Sequence, residues 1–462
     1  MSGIIFGSGI TLSAGIVVGQ GSPVGSGSYI DIFGNNFTNP SASITQQNAL
    51  AYDSSDNLYI AGYIDSGSNT TGIVSKFNVS GTLQWQRTLG ASSPSSTNFL
   101  GINLDNSNNV YVTGGTSSDG TTDGTDLQIA KYDTNGNLQW QKTLGSVGLY
   151  QAGLSVVVEQ STGDFYVGGF SLPNGGFPQN NAMLLVKYDS SGVLQWQKSL
   201  TYAGSQADCS DIALDSSGNI YLAGTSPTGA TYGQGTLVKY NSSGAVQWQV
   251  AITKATGQSS YYSIVIDSSD NIFVTGTALT GVGGTSYGIV AKYNTSGALQ
   301  WKKQIGNPEF PVLTSITADS LGNIYTAGWG GANYSSYIIK LDTNGAIQWQ
   351  RNFSATNYWA QIYSITIDSS DNLVVGGFTR STSGSINQIL MLKVPSDGTP
   401  TGTYTASGIS FTYNTPTLAI SDLSAWSATT TTMTAGTPSF TAATSSLTGA
   451  TSTLTNAVTS IP

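Results

Sequence analysis

The chain has 462 residues and a formal charge of -9, with 15 Lys and Arg against 24 Asp and Glu. So few cations, nowhere in a run, exclude a phosphate-tracking nucleic-acid surface and a polybasic membrane patch. No histidine, a single cysteine (Cys209) and only Glu159 and Glu309 as glutamates exclude an intramolecular disulfide framework and leave proton transfer to aspartates; we therefore expect no catalytic residues, metal, cofactor or enzymatic activity.

Residues 1–28 are rich in Gly, Ser and Ile and lack the basic leader of a secretory signal. The apolar stretch within them is too short and too interrupted to span a bilayer, so no membrane insertion is expected. A repeat follows. A phrase D-S-S-x-N-hydrophobic-Tyr-hydrophobic-x-Gly recurs at Asn57, Asn109, Asp164, Asn219, Asn271, Asn323 and Asn372, with K-Y-D-x-x-G-x-L-Q-W-Q between copies. A period of about fifty residues marks a propeller blade or a solenoid unit.

Within residues 262–305, β-rich runs at 262–266, 272–275, 287–293 and 298–305 are separated by Asn/Asp/Ser/Gly turns. That is a four-stranded antiparallel meander, strands A to D, with two apolar faces. Seven such sheets packed face to face bury both faces. The Asp-rich A–B turn lacks the bidentate carboxylate of a calcium loop, so side-chain capping of the turn is the expected role.

Two columns read as structural. Trp85, Trp140, Trp196, Trp248, Trp301 and Trp349 occupy strand D and are expected to pack blade on blade. Lys76, Lys131, Lys187, Lys239, Lys292, Lys340 and Lys393 end strand C beside Asp53, Asp105, Asp215, Asp267, Asp319 and Asp368, which end strand A. Lys–Asp contacts within or between blades are expected, with a different partner in blade three, where Glu159-Gln160 stands in place of the aspartate; a lysine ring holding an anion is the alternative. Six tryptophans for seven turns leave one strand D missing. The segment 29–34 aligns with 85–90 and is expected to supply it, placing Tyr29 in the tryptophan column; the segment 401–407 is the competing donor.

The B–C and D–A connections vary, and binding residues concentrate on variable loops. Trp329, Trp359, Tyr358, Phe310, Tyr232 and Phe177 are the candidate ligand-binding residues there, suited to stacking on an uncharged glycan; packing of the loops themselves is the competing account. Carboxyls on that rim (Asp65, Asp119, Asp123, Asp126, Glu309) are scattered. Residues 399–462 are Thr/Ser-rich and nearly uncharged. Like 1–28, they read either as an attachment segment or as a disordered tail.

The phrases Asp215-Ser216-Ser217-Gly218-Asn219-Ile220-Tyr221-Leu222-Ala223-Gly224 and Lys187-Tyr188-Asp189-Ser190-Ser191-Gly192 resemble the repeats of seven-bladed β-propellers. The resemblance covers 29–398 and implies an all-β fold: a seven-bladed β-propeller of four-stranded antiparallel blades, with extended terminal attachment segments. It is nearly silent on function. Phe6-Gly7-Ser8-Gly9-Ile10-Thr11 and the Thr/Ser-rich end resemble virion structural proteins of tailed (marine/cyano-) phages. That second resemblance implies a non-enzymatic fibre, decoration or host-adhesion component in the virion. It would contact other virion proteins through 1–28 and 399–462, engage host surface glycans through its loops, and form homo-oligomers. The alternatives are a polysaccharide-degrading enzyme or a bacterial surface adhesin, extracellular or at the cell surface.

Overall fold

The structure, a computed structural model, describes residues 49–416 apart from 66–69, 91–95, 118–124, 146–148, 174–180, 202–206, 228–232, 254–256, 280–285, 307–311, 332–334, 382–386, 400 and 407–408. Of the two ends it describes 4–6, 10–12, 16–20, 31–36, 418, 420–422, 427–430, 434–436, 441–444 and 448–451. The fold is all-β, and its sheets are the antiparallel blades of a seven-bladed propeller. By contacts the chain divides into two compact units. One comprises 1–90, 314–418 and 448–462, and the other 91–313 and 419–447.

In the second unit, blades two to five have inner strands A at Ser96–Leu104, Leu149–Val158, Asp208–Leu214 and Gln258–Ile266. Strand alternation gives each blade two apolar faces. Phe165 and Val167 of blade three pack with Tyr111 and Ile129 of blade two. The intervening Tyr166 packs with Ile220 and Leu222 of blade four, whose Tyr221 and Ala223 meet Ile264 and Ile272 of blade five. Each fully buried Val, Leu, Ile or Phe in these clusters contributes about 1.5–3 kcal/mol. The first unit repeats the scheme: Tyr325 and Ile338 of blade six pack with Ile362 and Ile365 of blade seven.

The repeated phrase has a physical reason at almost every position. In blade four, Asp215 Oδ1 accepts the N–H groups of Ser217 (3.0 Å) and Asn219 (2.8 Å). Its Oδ2 accepts from the Asn219 amide (2.8 Å) and the Tyr221 hydroxyl (3.0 Å), with Lys239 Nζ at 3.3 Å. One carboxylate thus ties together the turn, strand B and strand C. The residue before the Asn is left-handed, so Asp56, Asn108, Asp270 and Asp371 (φ 56–62°) alternate with glycine there.

The phrase's last glycine answers a bulge. Strand A gains one residue against strand B in blades two, three, four, five and seven, and the carbonyl of the strand A residue two before the unpaired one packs against Gly114, Gly169, Gly224, Gly276 or Gly377. A Cβ there would collide with that oxygen.

The termini depart from expectation. The missing strand D of blade seven is Asp31–Asn36, paired with strand C at Asn387–Val394. The register puts Asp31, not Tyr29, opposite Lys393. The expected strand 29–34 is two residues off, a slip that leaves face parity unchanged because strand period is two; Tyr29 itself lies outside the described residues. Ile16–Gln20 then adds a fifth strand.

The segment 401–407 is not the donor to blade seven: Gly402–Ala406 pairs with Ile409–Asn414, and the latter lies on strand D of blade six. Beyond it, short strands at Ile420–Asp422, Ser427–Thr430, Thr434–Gly436, Thr441–Thr444 and Thr448–Thr451 pair with strands D of blades five, four, three, two and one. A segment that composition left open as a tail is instead laid on the chain's own sheet edges.

Candidate functional site

In the second unit the inner strands of blades two to five line a cavity of about 650 Å³, within the ~300–1,000 Å³ of small-molecule sites. Its walls are Asn103, Ser155, Val157, Ala213 and Val265, small enough to leave room, with Glu159 and Gln160 of blade three's A–B turn and Ser216 of blade four's. The A–B turns, for which side-chain capping was the expected role, therefore also contribute to a cavity. Among the described residues no Lys or Arg lines it.

Asp211 also lines this cavity. It holds the fourth place before the turn aspartate in strand A, where the other blades carry Ala49, Gly101, Ser155, Ser263, Ser315 and Ser364. The carboxylate reaches neighbouring blades. Its Oδ2 accepts from the Ser263 hydroxyl at 2.8 Å and the Ile264 N–H at 3.0 Å, and its Oδ1 from the Ile212 N–H at 2.9 Å. In blade six Ser315 Oγ accepts the Ile365 N–H at 3.1 Å, the same bond between adjacent inner strands made without a charge. Burial pushes the Asp211 carboxyl above its usual range, against hydrogen bonds from Ser155, Ile264, Ser263 and Ile212 that pull it down. A carboxyl that keeps its proton to higher pH, in a cavity, is a proton-transfer candidate. Aligning the seven A strands would have exposed it as the one charged member of its column.

The aromatic candidates fall in the first unit or outside the described residues. Trp329 lies 6.4 Å from Tyr363, and Tyr363 stacks on Phe378 at 5.7 Å and 20°. The Tyr363 hydroxyl donates to Gln361 Oε1 at 2.9 Å, and burial pushes it up to about 12. Trp359 lies beneath exposed Arg380 at 5.6 Å, while Tyr358 pairs with Ser381 and Ala355, joining blades six and seven. Tyr363 sits at the bulge and was not singled out. Phe310, Tyr232 and Phe177 lie outside the described residues, as do Asp119, Asp123 and Glu309.

The two columns form a second constellation. Trp85, Trp140, Trp196, Trp248, Trp301 and Trp349 each lie 5.8–6.1 Å from a strand B aromatic of their own blade. Trp140, Trp196, Trp248 and Trp349 also rest on Gly192, Gly244, Gly297 and Gly398 in the next blade's C–D turn, where φ is 72–80° and a Cβ would press on the indole. Trp248 and Trp349 donate Nε1–H to Thr295 and Ser396 carbonyls at 3.1 and 3.0 Å.

Lys76, Lys131, Lys239, Lys340 and Lys393 meet Asp53, Asp105, Asp215, Asp319 and Asp368 of their own blades at 2.9–3.7 Å. Lys187 pairs with Asp164 at 2.9 Å, and Lys292 lies 5.2 Å over Phe273. Among the described residues no group of three His, Cys, Asp or Glu is placed to hold a metal.

Comparison with known proteins places this geometry. Residues 70–315 match the family model PQQ_2, described as outer membrane protein assembly factor BamB, and 300–335 match a β-propeller repeat. Neither match reaches the termini, so neither bears on their resemblance to virion proteins. No curated protein matches the chain. Among solved structures, the polysaccharide lyase Uly1 is similar at 9% identity and TM-score 0.44, covering 77% of this chain and 91% of its own. A PL25 ulvan lyase is similar at 11% and 0.43, covering 78% and 94%. A Synechocystis apocarotenoid oxygenase is similar at 10% and 0.39, covering 80% and 95%.

All three are enzymes by name, against which the expectation of no enzymatic activity, drawn from residue counts alone, is not kept. That expectation counted histidines and glutamates along the sequence, whereas a propeller brings side chains from separate blades to one cavity, as Asp211 and Glu159 show. With seven antiparallel blades and a family match over more than half its length, the chain belongs to the β-propeller family described as outer membrane protein assembly factor BamB.

Proposed function

We propose that the protein degrades polysaccharide, and that the cavity of its second unit is where it does so. The observation that carries the proposal is Asp211, a lone carboxyl in a column of Ser, Gly and Ala, with its proton affinity raised by burial. Glycoside hydrolysis requires a carboxylic acid to protonate the leaving oxygen and a second carboxyl to act as base or nucleophile. Asp211 is suited to the first role. Of the other carboxyls lining the cavity, Asp215 is held by its turn, Tyr221 and Lys239, and half-buried Glu159, whose carboxylate accepts from the Thr162 hydroxyl at 3.2 Å, is the candidate for the second.

The absence of Lys and Arg from the lining favours a neutral glycan over a polyanionic one, since elimination from uronates needs a group that neutralises the sugar carboxylate. Incubation with soluble neutral glucans, mannans, galactans and xylans, and separately with uronate polymers, tests this. New reducing ends from a neutral polymer support hydrolysis. Ultraviolet-absorbing unsaturated ends from a uronate polymer would replace hydrolysis by elimination, and no cleavage of any polymer would contradict the proposal.

A further inference from the structure

Most polar side chains that line the cavity are in use within the protein. Ser155 hydrogen-bonds Asp211, Ser216 donates to Asp270 at 2.6 Å, Gln160 donates to the Leu104 carbonyl at 2.9 Å, and Thr162 donates to Glu159 at 3.2 Å. Asp211 and Asp215 each accept several bonds. Among the described residues, Asn103 and Ser161 line the cavity without a side-chain hydrogen bond to the protein. Ser161 is exposed in a turn, whereas Asn103 is half-buried on strand A of blade two.

Asn103 stands two places before the turn aspartate. The other blades carry Ala51, Val157, Ala213, Val265, Thr317 and Thr366 there, so it is the one carboxamide of its column, as Asp211 is the one carboxylate of the column two places earlier. Blade packing does not require it, because Val157, Ala213 and Val265 serve the same place in the cavity wall. An amide drawn half out of water onto an apolar wall is costly until something bonds to it.

We infer that Asn103 is the sugar-binding contact of the cavity: its carboxamide holds neighbouring hydroxyls of a neutral sugar in the position next to the bond that Asp211 serves. The amide offers one acceptor oxygen and two donor hydrogens, and each sugar hydroxyl both donates and accepts, so one carboxamide spans a pair of them. Two residues along a strand cover about 7 Å, which puts the Asn103 level one step nearer the A–B turns than Asp211. The inference rests on the cavity being a polysaccharide site and adds what selects the sugar. A hydroxyl turned the other way leaves the amide unpaired, and a site built to bond a hydroxyl discriminates strongly against ligands that lack it.

Binding of an uncleaved ligand tests this apart from catalysis. Trisaccharides of glucose, mannose, galactose and xylose are titrated calorimetrically into folded Asp211→Ser protein and into the same protein carrying Asn103→Val, the residue of blades three and five at that place. Asn103→Ala, as in blades one and four, replaces it should the valine variant not fold. The expected result is a trisaccharide that D211S binds and the double variant binds about tenfold more weakly, for the loss of a pair of hydrogen bonds, at an unchanged melting temperature. On polymer, N103V alone should raise KM about tenfold with little change in kcat. Equal affinity with and without the amide overturns the inference, as does the binding of no trisaccharide. Asn103-dependent binding beside an unaltered protein that cleaves no polymer would remove the degradation reading and leave this inference standing. Cleavage with the same KM in N103V as in the unaltered protein would do the reverse.

Discussion

Gly224 and the carbonyl oxygen of Asp208 lie in contact so close that no Cβ fits between them. The same contact recurs at Gly114 with Asn98, Gly169 with Ala152, Gly276 with Ser260 and Gly377 with Gln361. The repeat keeps its last glycine because strand A bulges there, and the bulge brings backbone against backbone. Gly224→Ala is expected to cost about 2–3 kcal/mol, as overpacking against an immovable group does. Gly90→Ala, where a Cβ meets only the Thr71 side chain at 3.2 Å, is expected to cost less than about 1 kcal/mol. Urea unfolding of the two variants checks the contrast.

The turn aspartates set the acid limit of stability. Burial raises the Asp215 carboxyl, but hydrogen bonds from Asn219 and Tyr221 and the charge of Lys239 outweigh it and hold the group below its usual range. Asp53 and Asp368 are lowered in the same way. A carboxyl depressed in the folded state contributes stability that is complete above the unfolded value, about 3.9, and is lost as pH falls through the lower folded value. Stability is therefore expected to fall below about pH 4. Asp215→Asn should lower the plateau and flatten that acid branch, which denaturant titration at stepped pH measures.

Blade five offers an internal control for one of those bonds. Phe273 stands where Tyr59, Tyr111, Tyr166, Tyr221 and Tyr325 stand elsewhere, and the Tyr59, Tyr221 and Tyr325 hydroxyls each reach the turn aspartate at 3.0 Å. Tyr221→Phe is expected to cost about 1–2 kcal/mol by removing a donor to a buried carboxylate, and Phe273→Tyr to recover part of that in blade five. Thermal unfolding of both variants gives the two signs.

The blade was legible in the sequence because seven copies expose every position that physics constrains: the Asx turn at Asp215, the αL site at Gly218, and the lysine at Lys239. The site was hidden by the same regularity. Asp211 is a departure from a column, visible only once the seven A strands are counted back from their turns, and Tyr363 is the bulged residue itself. The C-terminal strands were illegible for another reason: Thr, Ser and Ala at 427–451 show no alternation of apolar and polar residues, so edge pairing that uses backbone alone leaves no pattern to read. Tyr29 was misplaced because alignment to 85–90 fixed the face and not the register.

Trp329 and Trp359 remain candidates for sugar stacking beside the cavity proposal. If they hold glycan, Trp359→Ala is expected to weaken binding of a polysaccharide about two- to tenfold, in keeping with about 0.5–1.5 kcal/mol for a lost stacking ring, without shifting the unfolding midpoint by more than a few degrees. Affinity electrophoresis beside calorimetry separates the two effects; unchanged mobility would return these rings to packing.

The most direct measurement is the activity of Asp211→Ser on a neutral polysaccharide that the unaltered protein cleaves. Serine restores the repeat and can keep the bond between adjacent inner strands that Ser315 makes to Ile365, so the variant should fold with an unchanged or slightly higher melting temperature. The account predicts that its rate of reducing-end release falls by at least about a hundredfold, the usual contribution of a positioned general acid. A folded Asp211→Ser protein that cleaves at the original rate would contradict it.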